Sequence, residues 1–207
     1  MRQLTSFAIL LTFALMPLAA QSTAGWKVRA DRSTSATDPD GAGKIQFMAM
    51  GKGYHAINPQ AAVYWNPANT AKGVYTVKGT FTLNELSNHN NYYGLTVGGS
   101  NLEGPDQAYL YFLIAQDGSF LVKRRAGDAK TDNVVARTPH AAIKKPEANG
   151  KSTNVLEVRV LADKVDYAVN GTVVGSSPKA GLPTDGIWGI RVNHLLNVSI
   201  DDLGVTR

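Results

Sequence analysis

The chain predicts an all-β fold, two antiparallel sheets packed face to face. Three observations carry this. Almost every periodic stretch alternates apolar and polar residues with period two. Asp-Gly and Asn-Gly pairs sit between such stretches, as in IAQDGSF (114–120) and YAVNGTVV (167–174), where the pair tolerates the positive φ angles of a tight hairpin. Almost no segment keeps helical spacing over about ten residues, so crossover helices and a parallel sheet are not expected.

Strands are expected over residues 25–30, 44–50, 53–57, 61–66, 73–85, 91–98, 107–115, 119–125, 153–161, 164–169, 172–175, 186–193 and 197–206. Turn signals separate them: Asp38-Pro39-Asp40-Gly41, Asn58-Pro59, Asn66-Pro67, Asp117-Gly118, Asn149-Gly150, Asn170-Gly171 and Asp185-Gly186. Residues 131–152, polar and carrying Pro139 and Pro146, read as a surface excursion with a short helical turn near Ala141 to Lys145. No fixed-period repeat appears, which argues against a propeller or solenoid. Within LSNHNNYYGLTVGGSN (86–101), Ser87 to Asn91 reads mainly as a connection and His89 as a solvated loop residue, while Tyr92 is the binding candidate of the segment.

The first twenty residues read differently. Arg2 is followed by a run from Phe7 to Leu18 that is apolar except for Thr12, and then by small residues. Residues 1–20 are therefore expected to be a signal peptide, with cleavage as late as residue 24, and residues 25–207 a single β-sandwich domain. The run is shorter than the roughly 20 apolar residues a membrane-spanning helix requires, so the protein is expected to be secreted or periplasmic and not membrane-spanning. The sequence has no cysteine, so the core must stabilise the domain without disulfides. The net charge of +5 is mild, and only Lys123-Arg124-Arg125 and Lys144-Lys145 cluster, which argues against a nucleic-acid partner.

Alternation sorts side chains between the faces of each strand. In QAYLYFLI (107–114) the core set is Ala108, Leu110, Phe112 and Ile114, leaving Gln107, Tyr109 and Tyr111 on the opposite face. Burying Tyr93, Leu95 and Val97 turns Tyr92, Gly94 and Thr96 away from the core. Burying Trp188, Ile190 and Val192 turns out Ile187, Arg191 and Asn193. Phenols offer a flat apolar ring with a polar rim, and sugar rings have C–H faces edged with hydroxyls. The candidate ligand-binding set is thus Tyr92, Gln107, Tyr109, Tyr111, Arg191 and Asn193, with a glycan or small saccharide as partner. Cross-strand tyrosines also stabilise ordinary solvated sheets, and that reading stands beside it. Trp65 is expected to join Val63 in the core.

No catalytic motif emerges. The four histidines are scattered, and neither a nucleophile elbow nor a phosphate loop occurs. No cofactor and no metal site is expected. Asp38-Pro39-Asp40-Gly41 and Asp201-Asp202 offer oxygen ligands for calcium, but acids beside glycine more often make turns. Glycoside hydrolysis needs two facing carboxylates, and Glu85, Glu103, Asp106 and Glu157 are the acids from which separate strands would have to supply them.

VDYAVNGTVVG (165–175) and GIWGIRVNHLLNVSIDDLGV (186–205) resemble the terminal strands of concanavalin A-like lectin/glucanase sandwiches, laminin G-like domains included. YGLTVGGSN (93–101) and YLYFLIAQDGSFLVKRRAGD (109–128) are similar to a group of exported bacterial domains of unknown function near the 3-keto-disaccharide hydrolase type. The resemblance implies a jelly roll with one concave sheet face on which glycans are bound or cleaved. The acid run of the family 16 glucanases is absent, and no catalytic position carries over. Three readings follow: an exported carbohydrate-binding or glycan-associated protein, a sugar-acting hydrolase with acids from separate strands, and an envelope interaction module without a small ligand.

Overall fold

A computed structural model describes residues 22–88 and 90–207; the expected signal peptide over 1–20, and His89, lie outside the described residues. Among the described residues the chain forms fourteen strands: β1 (Lys27–Asp31), β2 (Gln46–Met50), β3 (Gly53–Asn58), β4 (Ala61–Ala71), β5 (Tyr75–Leu83), β6 (Tyr92–Ser100), β7 (Ala108–Ala115), β8 (Ser119–Ala126), β9 (Thr131–Pro139), β10 (Ser152–Val160), β11 (Lys164–Val169), β12 (Thr172–Pro178), β13 (Gly186–Val192) and β14 (Leu196–Thr206). They build two seven-stranded sheets in the orders β1-β4-β13-β6-β7-β8-β9 and β12-β11-β10-β5-β14-β3-β2. Adjacent strands pair antiparallel throughout. No described helix is long and apolar enough to cross a membrane.

The hairpin signals act as their chemistry requires. Asn170 and Gly171 both take positive φ (52° and 84°) between β11 and β12, and Gly118 (82°) closes β7 onto β8. The inner faces of the two sheets interdigitate through large side chains. Phe112 of β7 lies 5.4 Å, centroid to centroid, from Tyr167 of β11 and 6.0 Å from Phe120. Phe81, Tyr64, Tyr93, Leu95 and Ile190 are likewise fully buried between the sheets. Each such side chain contributes about 1.5–3 kcal/mol on burial, so a core of this size replaces the disulfides the chain lacks. The buried phenols keep their hydrogen bonds: Tyr64 donates to Asn58 Oδ1 at 2.6 Å, and Tyr167 pairs with Ser177 Oγ at 2.8 Å.

Three expectations need correction. Residues 131–139, read as an irregular excursion, form the edge strand β9 on β8. Register shifts at Val122 break their alternation, and an edge strand in solvent needs little apolar content. Asn66-Pro67, read as a turn, lies inside the eleven-residue β4. The proline is tolerated because it lies past the end of the β1 pairing and within an irregularity of the β13 pairing, so no ladder hydrogen bond depends on its missing N–H. No helix forms at Ala141 to Lys145; a turn closed by the Ile143 N–H on the His140 carbonyl tucks Ile143 into the core instead.

The outer face of the second sheet is an ordinary solvated surface. Thr76, Lys78, Thr80 and Thr82 alternate with buried neighbours along β5, and beside them Glu157 accepts from Arg159 Nε at 2.7 Å and meets Lys78 at 3.6 Å. The outer face of the first sheet is different.

Candidate functional site

Outside the sandwich, on the far face of the first sheet, a second apolar cluster gathers Val63, Trp65, Leu102, Tyr109, Tyr111, Leu113 and Leu121, with Tyr92 and Ile187 packed at its margin. Register explains the grouping. Trp65 pairs through Gly189 and Thr96 to Tyr111 and Lys123, and Val63 through Arg191 and Gly94 to Leu113 and Leu121. Trp65 does share a face with Val63, but that face is the outer one, because Tyr64 takes the core position. The expectation of a core Trp65 is thereby corrected: β4 is apolar on both faces, so apolarity alone did not mark its inner side.

This face curls inward. Asp31 on β1 and Arg125 on β8 stand five strands apart in the sheet order, a span of about 24 Å if the sheet were flat. Asp31 Oδ2 nevertheless accepts directly from Arg125 Nη2, and from Arg191 Nη2 at 2.7 Å. Arg29 of β1 reaches Asp128 beyond β8 at 2.8 Å, and Lys27 pairs with Glu103 in the loop after β6. An aspartate and an arginine together cannot cross a flat sheet of that width. The face is therefore concave, and β1 lays a row of ion pairs across it.

Beneath these ion pairs the polar groups are dense and incompletely matched. Arg191 also donates from Nη1 to the Tyr109 hydroxyl at 2.9 Å and from Nε to Asn193 Oδ1 at 3.2 Å, and its guanidinium lies 5.5 Å from the Tyr111 ring centroid. Burial works against the Arg191 charge, but the facing Tyr109, Asp31 and Tyr111 outweigh it and raise its pKa above the ordinary arginine value. Burial raises the Tyr111 hydroxyl, opposed by the Arg191 charge. Arg29 Nη1, Arg125 Nε and Gln107 Oε1 are buried without a hydrogen-bond partner, at a typical cost of about 1–3 kcal/mol each.

Two openings lead into the concave face. One, about 290 Å³, is lined by Tyr92, Tyr111, Leu113, Leu121, Lys123, Arg125, Thr131, Arg191 and Asn193. The other, about 570 Å³, is lined by Trp65, Ile187, Leu102, Lys27, Glu103 and Asp106 among others. Four of the six expected residues, Tyr92, Tyr111, Arg191 and Asn193, thus meet in one cleft. Tyr109 shares their face but is only 1% exposed and sits beneath Arg191 as a support. Gln107 does not line the cleft; its amide donates to Asp128 Oδ1 at 2.7 Å and steadies the loop after β8. Sequence reasoning missed Lys123, Arg125 and Trp65 as members of this face. The first two were legible in principle, since the Asp117-Gly118 hairpin puts Lys123 opposite Tyr111 and Arg125 opposite Tyr109.

The connection before β6 is pinned by side-chain amides: Gln116 exchanges hydrogen bonds with both backbone groups of Ser87, and Asn91 donates to the His194 carbonyl at 2.7 Å. Of the remaining acids, Glu157 is tied to Arg159 on the other sheet, and Glu85 accepts from Asn197 at 3.1 Å. Glu103 and Asp106 share the Trp65 cleft. Asp38 and Asp40 approach opposite ring nitrogens of His194, at 3.0 and 3.8 Å, and so do not converge on a common point. Asp202 sits at an irregularity of β14 with φ 50°. Among the described residues, no group of three His, Asp or Glu side chains is placed to hold a metal ion.

No protein-family model matches the chain, and no curated protein matches its sequence. Solved structures do match its fold. The carbohydrate binding module CBM66 from Bacillus subtilis is similar over 88% of this chain and 96% of its own, with a TM-score of 0.61 and 8% identity. The Bacteroides ovatus mixed linkage glucan GH16 protein, in complex with a product, covers 91% and 97% at the same TM-score and identity. Alginate lyase A1-II′ covers 89% and 95%, with a TM-score of 0.53 and 13% identity. The two-sheet sandwich is that of the concanavalin A-like and galectin-like folds; at these identities the likeness extends to the fold alone.

Two outcomes follow from the ion-pair network. Asp31→Asn leaves Arg125 and Arg191 without their shared carboxylate, and urea unfolding should show a loss of about 2 kcal/mol, below the full cost of breaking a buried pair because the Asp31 side chain is 31% exposed. Asp128 is held below the usual carboxylate range by the hydrogen bonds from Arg29 and then Gln107. A depressed carboxylate adds stability that is present above its unfolded value near about 4 and is lost as pH falls through the folded value. The urea midpoint should therefore fall on acidification from about pH 6 to about pH 3, and Asp128→Asn should make that decline shallower.

Proposed function

We propose that this is an exported glycan-binding β-sandwich that holds a saccharide in the cleft between Tyr92, Tyr111, Lys123, Arg191 and Asn193. The observation carrying the reading is the aromatic cluster on the concave outer face of the first sheet, whose cleft is lined by the rings of Tyr92 and Tyr111 together with Lys123, Arg125, Arg191 and Asn193. Stability alone calls for no such cluster, since the opposite sheet manages with threonines and ion pairs. A sugar stacks its C–H face on such rings and reaches donors around them. The carbohydrate binding module among the structural neighbours is consistent with this use of the fold. Export rests on the sequence of residues 1–20. The site is read as working without a cofactor, calcium included.

A second reading, a sugar-acting hydrolase or lyase, is favoured by one observation: Glu103 and Asp106 line the same cleft as Trp65.

A glycan array and pull-down on insoluble polysaccharides test the first reading with Tyr92→Ala and Asn193→Ala. Each should weaken binding about tenfold, with thermal unfolding confirming that the variants stay folded; Asn193→Ala should also lower stability because it removes the acceptor of Arg191 Nε. Retention of both variants at wild-type strength would reject this cleft, and release of reducing ends from the bound polysaccharide, lost in Glu103→Gln, would move the assignment to the second reading.

A further inference from the structure

The chemistry of the cleft narrows the class of saccharide, an inference that rests on the glycan-binding reading. Its lining includes three cationic side chains, Lys123, Arg125 and Arg191, and no acidic one. The one carboxylate bonded to these groups is Asp31, whose Oδ2 serves both arginines. Asp128 does not make up the difference, because its carboxylate is held by Arg29 and Gln107. Lys123 has no ion-pair partner among the described residues and stands beside Tyr111 in register. The neighbouring Arg124 points to the opposite face, where Asp132 takes it at 2.6 Å.

Hydrogen-bonding capacity is equally one-sided. Arg191 and Arg125 carry more N–H donors than their contacts with Asp31, Tyr109, Asn193 and the Asp128 carbonyl use. The acceptors in the lining are neutral: the hydroxyls of Tyr92, Tyr111 and Thr131, and the Asn193 side-chain oxygen, which already accepts from Arg191 Nε. A neutral sugar could hydrogen-bond these groups but would leave the excess positive charge of Lys123, Arg125 and Arg191 uncompensated. A carboxylate or sulfate ester only accepts, and it compensates the excess positive charge. The rings of Tyr92 and Tyr111 would then carry the apolar face of the same sugar.

We propose that the cleft selects acidic saccharides, with Lys123 and the free N–H groups of Arg125 and Arg191 receiving a uronate carboxylate or a sulfate ester. The ammonium of Lys123 is the cation of the lining without an ion pair among the described residues, and it is the informative one to change.

Affinity electrophoresis on two matched pairs tests this: polygalacturonate against its carboxyl-reduced form, and dextran sulfate against dextran. The acidic member of at least one pair should bind about tenfold or more tighter than its neutral counterpart, and the pair that responds identifies the group as carboxylate or sulfate. Lys123→Met should remove about tenfold of that affinity, with Lys123→Gln as a second variant and thermal unfolding as the check on folding. Lys72→Met, which deletes an exposed charge in the turn between β4 and β5, should leave it unchanged. Equal weakening by Lys72→Met and Lys123→Met would show diffuse charge attraction and overturn the inference. Neutral members bound as tightly as acidic ones, with Tyr92→Ala still defective, would overturn the acidic class and leave the glycan reading standing. Failure of every probe to bind the folded protein would overturn both.

Discussion

One carboxylate oxygen sets the shape of the outer face. Asp31 Oδ2 receives Arg191 from the middle of the first sheet and Arg125 from near its far edge, although Asp31 itself lies on the opposite edge strand. The contact requires a curled sheet, and the curl turns a flat ladder of side chains into a groove. Attraction between partly buried charges is strong enough to matter only because the geometry is shared: two guanidinium groups converge on one acceptor, and Tyr109 supports one of them from below. Without that convergence, Trp65 of β4 would lie on an open sheet four strands from the basic residues of β8, whereas Tyr109 and Tyr111 of β7 adjoin Arg125 and Lys123 by register.

The two sheets divide the work of the fold. Their inner faces supply the stabilising core, where Phe112 and Tyr167 meet across the interior. The outer face of the second sheet carries threonines and partly exposed ion pairs around Glu157, which contribute modestly to stability. The outer face of the first sheet holds rings, arginines and polar atoms left without partners. Unmatched buried polar atoms are unfavourable for folding, and a face that retains them beside an aromatic floor is suited to a ligand that completes the hydrogen bonding.

Much of this architecture was legible in the sequence, because period-two alternation and Asn-Gly or Asp-Gly turns have direct geometric meaning. The strand pairs β7-β8 and β11-β12 lie where those turns require, and the inward sets of β5, β7 and β13 follow the alternation. The reading failed where its premise failed. Trp65 was assigned to the core with Val63 by alternation, yet both faces of β4 are covered and Tyr64 takes the inner one. Strand β9 was missed because irregular register and an exposed edge erase the alternating pattern. Parity brought Tyr92, Tyr111, Arg191 and Asn193 to one cleft of the outer face, whereas the place of Gln107 depends on a loop whose course parity does not specify. Curvature was least legible of all. It arises from contacts between residues almost a hundred positions apart, Asp31 with Arg125, and no local pattern encodes it.

The central claim is that ligand occupies the concave face of the first sheet. Amide chemical-shift mapping during titration with a bound saccharide tests it most directly. The account predicts perturbations that cluster on β6, β7, β8 and β13 around Tyr92, Tyr111, Lys123 and Arg191, with the second sheet silent. Perturbations confined instead to the loop cleft formed by Gly41–Lys44, Leu86–Asn88 and Leu195 would contradict it.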